Sequence, residues 1–239
     1  MTDRGRPRIF DLGLHASIDQ KATGEHRPLP RIAVLGAGHS GPVIARAAVE
    51  AGYHVSIAAS GDPARIALIA RVLAPGAEPR WAADAVADAD LVILAIPIHR
   101  FAAFDPALVA GKVVVDLMNY WPPVDGLQAM FEDRTRGSSE IVQERLAEST
   151  VIKTLNHLGY HQLDEERRPE GSPERRAVGV AGDDRDAVDV VADMVERIGF
   201  DTVRLDSLRA GRHFEAGGPV FGASLRRSEF ELAVRAEAA

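Results

Sequence analysis

Two apolar rhythms run along this 239-residue chain, one continuous and one spaced three to four residues apart. From Arg31, "RIAVLG" is an unbroken apolar run, the mark of a strand covered on both faces. It gives way to "SGPVIARAAVEAG", where apolar residues recur at helical spacing and Gly52 closes the helix. "HVSIAA" reads as a second strand. "DPARIALIARVLAPG" reads as a second helix, with Asp62 as its cap, Pro63 in its first position and Gly76 beyond its end. A short strand is expected in "EPRWA", a helix in "ADAVADA", and two more buried strands in "LVILAIP" and "KVVVDL". The rhythm continues less regularly with helix "SSEIVQERLA", strands "TVIKTL" and "AVGVAG", helix "DRDAVDVVADMVERIG" and strand "DTVRL". The tail from Arg209 is expected to end in helix, and the charged stretch "LDEERRPEGSPERR", from Leu163 to Arg176, reads as a mobile loop. Alternation of this kind predicts an α/β fold: a Rossmann-type doubly wound parallel sheet with a small C-terminal α/β portion.

Composition sharpens the picture by exclusion. Lys and Arg number 28 against 35 Asp and Glu, a net charge of −7, which leaves no basic surplus for a nucleic acid. With no cysteine the chain has no disulfide, thiolate metal site or cysteine nucleophile, and it suits a reducing compartment. No apolar run reaches the roughly 18 residues of a membrane helix, and the start, with Arg4, Arg6, Arg8 and Asp11, lacks the apolar core of a signal peptide. A cytoplasmic protein without membrane partners is expected.

The chemistry begins at Gly36-Ala37-Gly38-His39-Ser40-Gly41. Gly36 permits a tight turn, Gly38 lets the backbone approach a pyrophosphate, and Gly41 lets the helix pack on the strand. The helix start adds unpaired N–H groups and its positive dipole end. Following a strand and opening a helix, the pattern predicts a dinucleotide site. About 20 residues on, such sites place an Asp or Glu on the adenosine ribose, whereas here the strand ends in Ser60. Ser60 can donate to a 2′-phosphate, Arg65 can supply positive charge, and Asp62 is spent as a helix cap. The predicted cofactor is therefore NADP.

The blocks "IAVLGAGHSG", "IAASGDPARI", "LVILAIP", "KVVVDLMN", "SSEIVQERL", "VIKTLNHLGY", "VGVAGDD" and "RIGFDTVRLDSLRAGRHFE" follow one another in a familiar order. From Arg31 to Glu215 the chain resembles the NADP oxidoreductases dependent on the deazaflavin coenzyme F420. The resemblance implies NADPH lying along the strand ends, with a deazaflavin stacked on its nicotinamide and hydride passing directly between them. It implies pyrophosphate contacts at Ala37, Gly38, His39 and Ser40, and 2′-phosphate contacts at Ser60 and Arg65. It places Ile96 and Pro97 at the nicotinamide end, Arg100 near a cofactor-contacting position, Asn119 after the fifth strand, and Thr154 and Asn156 beside the hydride-transfer cleft. Four features depart from the family: Gly61 stands for the usual arginine after the serine, the C-terminus lacks the expected apolar helix, the N-terminal extension is additional, and "NYWPPVDG" puts Trp121 and two prolines at the deazaflavin wall.

On this reading residues 1–30 form a partly disordered extension, residues 31–148 the NADP-binding domain, and residues 149–239 a portion completing the second-substrate pocket. So thin a second half implies a homodimer. Hydride transfer between two rings needs positioning more than acid–base chemistry, so no catalytic side chain is expected. His157 and His161 are four apart but straddle Gly159 without a ligand-spaced carboxylate, so no metal site is expected, and His157 reads either as a pocket residue or as a structural one. Cations for an anionic coenzyme tail are sought among Arg167, Arg168, Arg209, Arg212, His213, Arg226 and Arg227. Two rival functions remain: NADPH-dependent reduction of another small substrate such as an imine, and non-catalytic NADP binding or sensing.

Overall fold

The computed structural model describes residues 29–133 and 135–237, so the extension read for residues 1–30 lies outside it except for its last two residues. Strands β1 (Ile32–Leu35), β2 (Val55–Ala58), β3 (Glu78–Pro79), β4 (Leu91–Leu94), β5 (Val113–Asp116), β6 (Thr150–Thr154), β7 (Ala177–Ala181) and β8 (Asp201–Leu205) form one sheet in the order β3-β2-β1-β4-β5-β6-β7-β8. The helices are α1 (Ser40–Glu50), α2 (Ala67–Leu73), α3 (Ala82–Ala87), α4 (Pro122–Asp125), α5 (Ser138–Arg145), α6 (Tyr160–Glu165), α7 (Arg185–Arg197) and α8 (Arg227–Glu237). Each element expected from the pattern is present at its place.

Side-chain alternation divides the core. Ile32 and Val34 of β1 belong to a core shared with α1, α2 and α7 on one face, while Ala33 and Leu35 belong to one shared with α3 and α5 on the other. Burial on both faces explains why these strands are apolar without a break. The chain reverses its direction of winding between β1 and β4, which are paired in register from Ile32↔Leu91 to Leu35↔Leu94. A crevice for a ligand opens at such a switch point, outside the carboxyl ends of the strands.

The expectation of a parallel sheet holds from β3 to β6, but β7 is antiparallel to β6, and β8 runs parallel to β7. The chain leaves β6 at the carboxyl edge, passes through α6 without crossing back, and enters β7 at that same edge. Thr154, the last residue of β6, pairs with Val180, so Ala177 to Gly179 run past the carboxyl edge. A third small core of Ala177, Val203, Phe214, Val220 and Phe230 joins this overhang to α8 and to the 3-10 segment Leu208–Phe214.

The stretch from Leu163 to Arg176, expected to be mobile, is anchored. Arg168 N donates to Gly199 O at 2.9 Å, and the buried Arg176 donates to Glu166 at 2.7 Å and to Ala223 O at 2.6 Å. Its arginines engage carboxylates or main-chain carbonyls, while Asp164, Glu165, Glu170 and Glu174 stay exposed. Among the described residues no helix is long and apolar enough to cross a membrane.

Candidate functional site

The glycine turn shows three different uses of a missing side chain. Gly36 has φ +130°, and a Cβ there would strike the Ala95 carbonyl; at Gly41 it would strike the Gly36 carbonyl. Gly38 is not crowded. A Cβ there would meet nothing within 4 Å, so this glycine keeps open the space before α1. No side chain caps α1 at His39, which leaves its first amides to point into that space. Ala37 and Ser40 complete the turn, and His39 stacks on Tyr160, ring centroids 5.1 Å apart, joining it to α6. These residues fit a pyrophosphate.

The next strand end is arranged as read. The Asp62 carboxylate accepts from Ala64 N at 2.8 Å and caps the 3-10 turn Pro63–Ile66 that leads into α2. Ser60 and Arg65 are exposed, and Arg65 has no ion-pair partner among the described residues. A donor and a cation are thus left where a carboxylate would have repelled a phosphate.

Past the switch point, Ile96 is half-buried and Pro97 exposed at the end of β4, with Arg100 exposed in the 3-10 segment Ile98–Ala103. Asn119 and Asn156 clasp one another across the ends of β5 and β6. Asn119 Nδ2 donates to Asn156 O at 2.6 Å, and Asn156 Nδ2 donates to Asn119 Oδ1 at 2.9 Å. Between Thr154 and Asn156, Leu155 holds φ +62°, a left-handed conformation that costs a non-glycine residue of order 1 kcal/mol or more and turns the chain into the clasp. Thr154 is enclosed: its hydroxyl donates to Gly179 O at 2.7 Å and braces β6 on the overhang of β7.

Beneath the clasp lies a group that pattern reading passed over. Asp116 and Lys153 are both wholly buried, their charges 3.2 Å apart. Lys153 Nζ also donates to Met118 O at 2.5 Å, while Asp116 accepts from Ser139 Oγ at 2.6 Å and Met118 N at 2.9 Å. Every hydrogen bond runs to the turn carrying Asn119 or to the start of α5. The one available signal was a charge interrupting each of two apolar runs, "VVVD" and "TVIKT".

His157 is neither exposed to a pocket nor satisfied. Its ring lies against Phe214 at 5.1 Å and Phe230 at 5.8 Å, and neither nitrogen has a hydrogen-bond partner among the described residues. Burial, with Arg176 and Lys153 nearby, pushes its pKa down to about 3. His161 instead lies tilted against Tyr160 at the surface, so the two histidines occupy different environments.

Beside the clasp opens a cleft of about 1230 Å³, lined by Tyr120, Trp121, Pro122 and Phe131 on one side and by Arg209, Arg212 and His213 on the other. Asp133 and Glu215 also line it, and Glu215 is occupied in capping α5 through Ser138 N and Oγ, both at 2.8 Å. Of the other candidate cations, Arg226 and Arg227 line a separate cavity of about 400 Å³. Arg167 pairs with Glu50 at the far end of α1, at 2.6 Å, and Arg168 donates to Glu165 O at 2.7 Å.

The strand order and the open glycine turn set a Rossmann-like frame, and the comparisons relate the chain to NADP-dependent oxidoreductases. Residues 31–120 match the model of the family described as NADP oxidoreductase coenzyme F420-dependent, so the resemblance read from the sequence holds over that segment. No curated protein matches the sequence. Among solved structures, the hypothetical protein SMa0349 from Sinorhizobium meliloti is 27% identical with a TM-score of 0.72, covering 83% of this chain and 96% of that one. A protein assigned as an F420-dependent NADP-reductase from Arthrobacter sp. FB24 is 28% identical with a TM-score of 0.61, covering 74% of this chain and 84% of that one. The 3-hydroxyisobutyrate dehydrogenase of Mycobacterium tuberculosis, 18% identical with a TM-score of 0.53, shares the fold over 77% of this chain and 56% of its own.

Proposed function

We propose that this protein transfers a hydride between NADP(H) and coenzyme F420 or a related acceptor, as a cytoplasmic homodimer. The observation that carries the reading is the carboxyl edge itself: an open glycine turn before an uncapped helix, followed by an exposed serine and an exposed arginine whose neighbouring carboxylate serves as a cap. The amides of Gly38 to Ser40 hold the pyrophosphate, and Ser60 and Arg65 hold the 2′-phosphate. Ile96, Pro97 and Arg100 border the nicotinamide end, and Asn119 and Asn156 fix its far side. Bound there, NADPH supplies the hydride from its nicotinamide ring. The apolar wall of Tyr120, Trp121 and Phe131 receives the acceptor ring and excludes water, while Arg209 and Arg212 face its anionic tail. No side chain is assigned an acid–base role, because holding two rings in contact supplies most of what this reaction requires. Exposed Trp121, Val124 and Leu127 beside the cleft suit contact with a second copy.

Anaerobic mixing of protein, NADPH and oxidised F420, followed by deazaflavin absorbance, tests this reading. Bleaching faster with NADPH than with NADH is the expected result. Tight NADPH binding without bleaching would favour an imine or another acceptor, or a sensing role.

A further inference from the structure

An aromatic side chain outside every assignment above follows β3, the strand that neighbours β2. Trp81 is 52% exposed, an unusual state for so large an apolar ring, and it belongs to none of the three core clusters. Its place in the fold is fixed by the sheet. Ile57 of β2 pairs with Pro79 of β3, and Arg80 N donates to Ile57 O at 3.0 Å, so the ladder continues one residue past the strand. Trp81 follows directly, at the start of α3, on the same carboxyl edge where β2 runs on through Ala59 to Ser60. Its carbonyl accepts from Ala85 N at 2.9 Å as α3 begins, which pins the backbone. Arg80 is not available for a ligand, since Asp88 holds its guanidinium at 2.6 Å, whereas Arg65 has no ion-pair partner among the described residues.

We propose that Trp81 is the stacking platform for the adenine of the dinucleotide, so that Ser60, Arg65 and Trp81 together form a site for an adenosine 2′-phosphate. The proposal rests on the dinucleotide reading of the carboxyl edge. It follows from what the ligand offers at this end: a phosphate that needs a donor and a cation, and a flat heterocycle that needs a π face. An exposed indole held by a fixed backbone loses little freedom on binding.

The chain has two tryptophans, so Trp81 is the sole indole reporter in the full-length Trp121→Phe protein. Titration with 2′,5′-ADP, which lacks the nicotinamide, is expected to quench its emission with the same Kd that calorimetry gives. Trp81→Ala is expected to weaken 2′,5′-ADP about tenfold, and Trp81→Phe less than about threefold, as loss and partial retention of base stacking require. Calorimetric binding with Trp81 emission unmoved and Trp81→Ala affinity unchanged would overturn the platform while leaving the dinucleotide site intact. Emission that depends on protein concentration and ignores 2′,5′-ADP would also overturn it and assign the ring to a contact between copies. Failure of both 2′,5′-ADP and NADPH to bind would overturn the site reading and the platform together.

Discussion

The two halves of the carboxyl edge are built from different materials. From β1 to β2 the site is made of backbone and of omission: glycines that admit close approach, a helix start without a cap, and a carboxylate turned aside. From β5 to β6 it is made of buried side chains: an ion pair, an amide clasp, a left-handed leucine and a histidine enclosed by phenylalanines. The first half presents dipoles to a phosphate and asks little of its surroundings. The second half keeps charge out of water, so each member depends on the others. A substitution should therefore act locally in the first half and collectively in the second.

The largest expected effect is at the ion pair. Lys153→Met leaves Asp116 buried and unpaired, and a loss of about 3 to 5 kcal/mol in denaturant unfolding is expected. Adding Asp116→Leu should recover most of it, because two apolar groups desolvate without penalty. Equal losses in the single and double variants would break the claim that the half acts as a unit.

Next come the glycines, which separate crowding from openness. Gly36→Ala combines a left-handed φ with a clash against the Ala95 carbonyl, and should cost several kcal/mol of stability. Gly38→Ala meets nothing within 4 Å, so thermal stability should change by less than about 1 kcal/mol while NADPH binding weakens at least about tenfold. Parallel losses of folding and binding at Gly38 would contradict a ligand-filled opening.

A third test uses acid. His157 titrates near 6.5 when unfolded but about 3 when folded, so the unfolded chain takes up a proton that the native state refuses. Above pH 6.5 the group is neutral in both states and costs nothing. As pH falls from 6.5 toward 3, stability should drop by about 1.4 kcal/mol per unit from this group. Unfolding curves of His157→Phe should lose that slope, and an unchanged slope would remove His157 from the cause.

The smallest effects distinguish cofactors. Ser60→Asp and Arg65→Ala should each weaken NADPH by about 1 to 3 kcal/mol and NADH less, the range for a charge-assisted bond. Calorimetry showing equal losses for both would remove the 2′-phosphate from this site.

The same division decides how much was legible. Gly36, Gly38 and Gly41 announce their roles because the constraint is local: a turn, a strand before it and a helix after it. Asp62 is equally readable, since a cap acts two residues away. Asp116 and Lys153 are not, because their contact depends on the register of β5 against β6, the two residues lying 37 positions apart. The direction of β7 escaped for a related reason. Its apolar run would suit either direction, and the path of the linking segment is set by Arg168 on Gly199 and Arg176 on Glu166. Thr154 was placed beside the cleft by position in the chain, yet its hydroxyl serves β7.

The central claim is that both halves together hold two rings in contact for direct transfer. A single anaerobic turnover with NADPH deuterated at the nicotinamide C4, followed by mass analysis of the reduced deazaflavin, tests it. Deuterium retained on the acceptor carbon is the result this account predicts. Oxidation of NADPH with the label in solvent, or a bound NADPH that never reacts, would contradict it.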